Sequence, residues 1–476
     1  MYTAGLGRRL LNTSSEVSRK ADSEWLIGSS QLPEKSGDHT KITVDLTSVQ
    51  QPIKGFGASG CWWAQHLGRW RDQTLEPVID LLFHPSNGIG LTQYRYNIGA
   101  GGGNEIPDPW RRSECYEVRR EEYDWSRDVA AKRVMRAACD RGVHEVVAFS
   151  ISPTVRMTHS GYASGAPGGN SNLRPEMIQD FARFLVKVVK HLRTEEFPIT
   201  HLSPINEPHW DWQPSKGQEG CHLEIDECVQ VIRAVFEHIE RENLELEMSV
   251  IEAHDWPSAH LYADALMTDP YIAKRLKNYA VHSYWSDKFS KQKFADHVAK
   301  YYPHLELWMS EWCEMVTGQD TGMDSALCLA NTLHDDLTLG SVNAWQYWIA
   351  VSKHDFRDGL IYVDEEAQTF TETKRLWALG NYSRFIAPKS RRVAVTSDGI
   401  PLKTSAYLDP DGRKLTVVAI NNSDEPVRAT LEVPHMFTTA RCYETSDAHS
   451  LTLMEESAPT CLQTFPARSV NTLALR

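Results

Sequence analysis

The hydrophobic pattern of this 476-residue chain changes character once, near Trp377. Before that point, short apolar runs rich in Val, Ile and aromatic residues alternate with longer segments whose apolar positions recur every three and four residues. The runs number eight: GFGASG (55–60), LTQYRYNIG (91–99), HEVVAFSISP (144–153), HLSPINEP (201–208), LEMSVIEAHD (246–255), NYAVHSYW (278–285), LELWMSEW (305–312) and SVNAWQYW (341–348). Segments such as PEMIQDFARFLVKVVKHLRTE (175–195) and IDECVQVIRAVFEHIERENL (225–244) carry the helical period between them. Eight β/α units over about 300 residues predict an α/β fold, a TIM (β/α)8 barrel, more economically than an open doubly wound sheet.

After Trp377, RVAVTSD, LKTSAYLD, KLTVVAINNS, VRATLEVP and SVNTLALR alternate in polarity, separated by turn residues and by no long helix. This pattern predicts an appended β-sandwich. KITVDLTSVQQ (41–51) shows the same alternation ahead of the first barrel strand and is expected to cross over and join it. The expected division is an N-terminal extension (1–39), a catalytic barrel (53–382) and a discontinuous sandwich (40–52 plus 383–476).

Composition narrows the partners. A formal net charge of −13 would repel nucleic acid and anionic membranes at long range. A neutral substrate fits better. The 15 Trp and 17 Tyr gather near the ends of apolar runs, and although most are expected in the core, planar rings with a polar edge suit the apolar faces of sugars, which makes a neutral oligosaccharide the expected partner. No stretch approaches the roughly 20 apolar residues of a membrane span. The N-terminal segment MYTAGLGRRLLNTSSEVSRKADSEW has no apolar run long enough for a signal-peptide core, so the reading is cytoplasmic, secretion requiring a leader that has been removed. Nine cysteines without regular spacing fit reduced thiols, and sequons at Asn12, Asn381 and Asn421 carry no weight without secretion. No metal or cofactor is expected. GAGGGNE (99–105) lacks the Lys and helix start of a phosphate loop and reads as a flexible loop at the site. His144, His254, His282 and His304 are not spaced as metal ligands. Nothing in the pattern specifies an oligomeric state.

The chemistry is concentrated at two strand ends. LSPINEPHW (202–210) breaks at a proline and delivers Asn206 and Glu207 to the C-terminal mouth of barrel strand four, and strand seven ends with Glu311. A surface salt bridge is the commoner fate of a single Glu. Both of these, however, sit in apolar, Trp-rich strand ends where an idle charge is costly. Two carboxylates across one barrel mouth suit cleavage of a glycosidic bond, one protonating the leaving oxygen and the other acting on the opposite face of the sugar.

At these residues the chain resembles glycoside hydrolase family 30, in the clan of retaining barrel enzymes. GFGASGCWWA, RYNIG (95–99), SPINEPHW, HSYW (282–285) and MSEW (309–312) carry the resemblance over most of the barrel, and the sandwich matches too. It implies Glu207 as acid/base, Glu311 as nucleophile, and Arg95, Asn206, His282 and Tyr284 around the sugar that becomes covalently attached. Of the tryptophans near strand ends, about half should face sugar because a strand alternates its faces, and Trp63, Trp210 and Trp348 are the candidates. SISPTVRMT (150–158) departs from the family's Ser-x-Ser-Pro-Pro-x-Trp-Met, with Thr154 and Arg156 where Pro and Trp are usual. A stacking platform is therefore missing there or supplied from elsewhere, and Arg156 reads as a structural cation ahead of a role with an acidic sugar. The segment 203–222, with GCWWA and RYNIGAGGGNE, looks most like the β-1,6-galactan branch. The implied function is a retaining β-glycoside hydrolase cleaving β-1,6-linked galactose units. The alternatives are a related β-glucosidase, β-xylosidase or β-fucosidase, or a non-catalytic carbohydrate-binding barrel, which the presence of both acids disfavours.

Overall fold

The computed structural model describes residues 40–397, 399–460 and 462–476; the expected extension and Asn12 lie outside the described residues. A long strand, β1 (Thr40–Pro52), comes first. The eight apolar runs then form β2 (Gly55–Ser59), β3 (Gln93–Asn97), β4 (Glu145–Phe149), β5 (Ile199–Ser203), β6 (Glu247–Ala253), β7 (Asn278–His282), β8 (Glu306–Glu311) and β9 (Ala344–Tyr347). Each pairs in parallel with the next, and β9 closes the barrel on β2 with Ala344 opposite Gly55. Covered on both faces, such strands read as continuous apolar runs. β2 is buried at all five positions, and a Cβ on its Gly57 would lie 2.8 Å from the Gln93 side chain and carbonyl, so only glycine admits this close strand approach.

The outer helices follow the three-and-four spacing. Ile178–Thr194 buries Phe181, Leu185, Val188 and Leu192 against the barrel, and Ile225–Arg241 starts on a reciprocal capping box between Glu224 and Glu227.

The second layer is a nine-stranded sheet built from β1 and eight C-terminal strands: β10 (Arg391–Thr396), β11 (Leu402–Leu408), β12 (Leu415–Asn421), β13 (Val427–Glu432), β14 (Ala440–Thr445), β15 (Thr452–Ser457), β16 (Leu462–Phe465) and β17 (Ser469–Leu475). β1 runs antiparallel to β10, with Val44 opposite Val395, and parallel to β13, with Ile42 opposite Leu431. Three of these strands and a small sheet after β9 (Val351–Ser352, Ile361–Asp364, Thr369–Glu372) go beyond the sequence expectation. β15, TLMEES, is almost wholly exposed, so no alternation marks it.

β12 shows how the sandwich meets the barrel. Val417 and Ala419 point into the sandwich core with Ile42, Leu431 and Leu473, whereas Val418 and Ile420, together with Tyr407 and Val470, belong to the barrel's apolar core. The interface is thus part of the main core. Ile420→Ala should lower stability by about 2–5 kcal/mol, measurable as a fall in the denaturant midpoint. Asn381 and Asn421 are fully buried, Asn381 bonding to Thr445 and Asn421 to carbonyls of Phe465 and Pro466. Neither could accept a glycan in the folded chain. The described cysteines are all free, and among the described residues no helix is long and apolar enough to cross a membrane.

Candidate active site

The C-terminal ends of β3, β5, β6, β7 and β8 converge. Beyond β5 the chain turns at Pro204, and Glu207 takes a left-handed conformation (φ 46°) while its N–H donates to the Glu252 carbonyl at 2.8 Å. Glu311 is the last residue of β8. Carboxylate oxygens of Glu207 and Glu311 and a ring nitrogen of His282 all lie within 4.8 Å of one another. Glu252 (φ 60°) and Trp285 (φ 47°) are also left-handed. Strained non-glycine backbone gathers here, as it does at functional sites.

Glu311 is held from two sides. The fully buried Arg95, on β3, donates from Nη1 to Oε2 at 2.9 Å, and the Tyr284 hydroxyl donates to Oε1 at 3.1 Å. Arg95 rests over the Phe149 ring, 4.1 Å from its centroid. Burial pushes the Glu311 carboxyl up, His282 and Arg95 pull it back, and the Glu207 charge adds to the rise.

His282 joins the carboxylates into one network. Its Nδ1 is 3.0 Å from Glu207 Oε1 and 3.7 Å from Glu311 Oε1, and its Nε2 is 3.0 Å from Glu252 Oε2. Burial disfavours its charge, but Glu311, Glu207 and Glu252 outweigh this and raise the imidazole to about 10. It is therefore an imidazolium at neutral pH, donating from both nitrogens.

Glu252 is the residue that sequence reasoning missed. It lies on β6, is fully buried, accepts from the Ser310 hydroxyl and sits 3.5 Å from Arg95 Nη2. Burial opposes its charge, yet Arg95, His282 and Ser310 hold its carboxyl at about 2. The signal was present in VIEAHD: a carboxylate ending an apolar strand, the same feature that singled out Glu207 and Glu311.

The other expected residues separate into two groups. Asn206 is buried, and its amide oxygen has no hydrogen-bond partner within the protein. Trp348 stands edge-on to Trp62 at 5.3 Å and to Phe149 at 6.4 Å, beside the Arg95 support. Trp210 is half-buried and stacks on Trp285. Trp63 is a correction: it is fully buried, its Nε1 donates to the Ser59 carbonyl at 2.8 Å, and it packs in the core where no sugar reaches it. Arg156 forms a bidentate pair with Glu117 (2.8 and 2.9 Å) and reaches Asp180 at 3.1 Å, which makes it a structural cation. The glycine-rich loop is tied down by the buried Glu219, which accepts from the Ala100 and Gly102 N–H groups at 3.1 and 3.4 Å. His144 and His304 are exposed, whereas His254 stacks on His209 at 3.9 Å.

Comparison with known proteins shows the family of the chain. The model of O-glycosyl hydrolase family 30 matches residues 39–362, and that of the glycosyl hydrolase family 30 beta sandwich domain matches residues 389–473. The chain belongs to glycoside hydrolase family 30. Lysosomal acid glucosylceramidase of Mus musculus is 28% identical over 193 residues, which are 37% of this chain and only 36% of that relative's length. The crystal structure of a conserved exported protein from Bacteroides fragilis superposes with a TM-score of 0.82 at 27% identity, covering 91% of this chain and 99% of that one. The catalytic domain of a family 30 xylanase C from Talaromyces cellulolyticus superposes with a TM-score of 0.75 at 20% identity, covering 92% and 100%, and shares the fold.

Proposed function

We propose that this family 30 member is a retaining hydrolase of neutral β-linked oligosaccharides, with β-1,6-linked galactose as its unit. The approach of Glu207 and Glu311 oxygens to within 4.8 Å carries the mechanism. Double displacement needs carboxyl groups about 5–5.5 Å apart, whereas inversion needs about 6.5–9.5 Å to admit a water between them. Glu311, oriented by Arg95 and Tyr284, attacks the anomeric carbon, and the C–O bond to the leaving group breaks. Glu207 protonates the departing oxygen with the proton it shares with His282 Nδ1. In the second half, Glu207 takes a proton from water, whose oxygen displaces Glu311 and restores the β-configuration.

The galacto-configuration is supported by the likeness of residues 203–222 and of the GCWWA and RYNIGAGGGNE segments to the galactan branch. Relatives named for glucosylceramide and xylan make β-glucosides and β-xylosides the competing substrates. Aryl β-galactoside, fucoside, glucoside and xyloside, assayed beside β-1,6-galactobiose, decide between them. Galacto-configured substrates should lead. A preference for glucosides or xylosides by about tenfold, on the order of 1.4 kcal/mol in transition-state binding, would overturn the sugar assignment. No turnover of any sugar would instead mark a non-catalytic binding barrel.

A further inference from the structure

Trp285 is a large apolar side chain left 62% exposed at the barrel mouth. It follows His282 and Tyr284 on the segment leaving β7, and its left-handed backbone, φ 47°, is costly for a bulky residue. Its surroundings hold the ring in one orientation. Trp210 lies parallel to it, with centroids 5.7 Å apart and planes 5° from parallel, Tyr284 is inclined to it at 5.7 Å, and His254 stands edge-on at 5.7 Å. Lys216 Nζ sits over the Trp210 ring, 5.0 Å from its centroid. Of the stacked pair, Trp285 is therefore the ring offered to solvent.

The position of this pair relative to the acid decides what it meets. Trp210 is three residues beyond Glu207 and its N–H donates to the Glu207 carbonyl at 3.1 Å; Trp212 Nε1 donates to the same carbonyl at 3.0 Å. The general acid touches the glycosidic oxygen from the side of the departing group. Trp210, on the acid's own loop, stacks on Trp285 from the segment leaving β7 and so ties that ring to the acid's side, while Arg95 and the Tyr284 hydroxyl hold the nucleophile. The rim is polar, with Lys216 paired to Asp211 at 3.0 Å and His254 to Asp255 at 2.9 Å, which suits hydroxyls around a ring better than an alkyl chain.

We infer that Trp285 is the stacking platform of a leaving-group subsite, and that its occupant is a second pyranose ring, in the substrate before cleavage and in a sugar acceptor after it. This rests on the reading of Glu207 as the acid. The platform supplies what the Arg156 position lacks, and it places an oligosaccharide, rather than a glycoside of a small alcohol, as the substrate.

The test compares two substrates of the same sugar in the full-length protein: the β-linked disaccharide, and the β-glycosyl fluoride, whose leaving group has no ring to stack. For Trp285→Ala, the ratio of kcat/KM for disaccharide to that for fluoride should fall about tenfold, and capture of the glycosyl-enzyme by added monosaccharide should fall in step relative to hydrolysis. Trp285→Phe should recover most of both. An unchanged ratio, or equal losses on the two substrates, would overturn the inference alone, and so would a selective loss on octyl β-glycoside with the disaccharide spared. Failure of the unaltered protein to turn over the fluoride of any sugar would overturn the hydrolase reading and this inference with it.

Discussion

Glu311→Ala is expected to lose turnover of every β-glycoside by about four orders of magnitude or more, because no other group can form the covalent intermediate. Glu207→Ala should behave differently. A nitrophenolate leaves without a proton, so the glycosyl-enzyme still forms quickly and then stalls for want of a base. Azide needs no deprotonation and should release it as the β-glycosyl azide, the product of two inversions. With Glu311→Ala, azide can only enter directly in the cavity left by the carboxylate, giving the α-azide by one inversion. The anomeric configuration of the azide, read by NMR, separates the two roles. A β-azide from Glu311→Ala and an α-azide from Glu207→Ala would interchange them.

The proton economy behind these roles was only partly legible in the sequence. Asn206, Glu207 and Glu311 could be singled out because each interrupts an apolar strand end, and the barrel because its eight runs repeat on one period. Glu252 satisfies the same test in LEMSVIEAHD, but its significance depends on Arg95 reaching it across the barrel at 3.5 Å and His282 from the neighbouring strand β7 at 3.0 Å, a property of strand stagger that no local pattern encodes. Trp63 failed for the complementary reason. It follows a predicted strand end as Trp210 does, yet it begins a short helix (Trp63–Leu67) that turns its ring inward to the Ser59 carbonyl. In the sandwich, the strands with one apolar face, such as β12, are readable, whereas β15 pairs only with β14 at the sheet edge and keeps both faces in solvent.

Glu252→Gln is expected to reduce kcat/KM about a hundredfold although the residue touches no substrate, because a buried charge partner of both Arg95 and His282 is lost while the volume is kept. The pH dependence distinguishes this from simple loosening. In the proposed mechanism His282, raised to about 10, keeps the proton that Glu207 passes on, and Glu252 is one of the three carboxylates that raise it. Removing that carboxylate lowers the imidazole, so the alkaline limb of the kcat/KM profile should move to lower pH. Stability should follow the same linkage. The Glu252 contribution, with its carboxyl depressed from 4.5 to about 2, is present above about pH 4.5 and is lost as pH falls toward 2. The His282 contribution, raised from 6.5 to about 10, is complete below about pH 6.5 and is lost as pH rises through 10. Both are therefore complete between about pH 4.5 and 6.5, where the melting temperatures of the unaltered protein and Glu252→Gln should differ most. A uniform fall in kcat/KM at every pH, with the alkaline limb in place and a constant difference in melting temperature, would reduce Glu252 to a packing role and leave the Glu207 proton to be held by His282 alone.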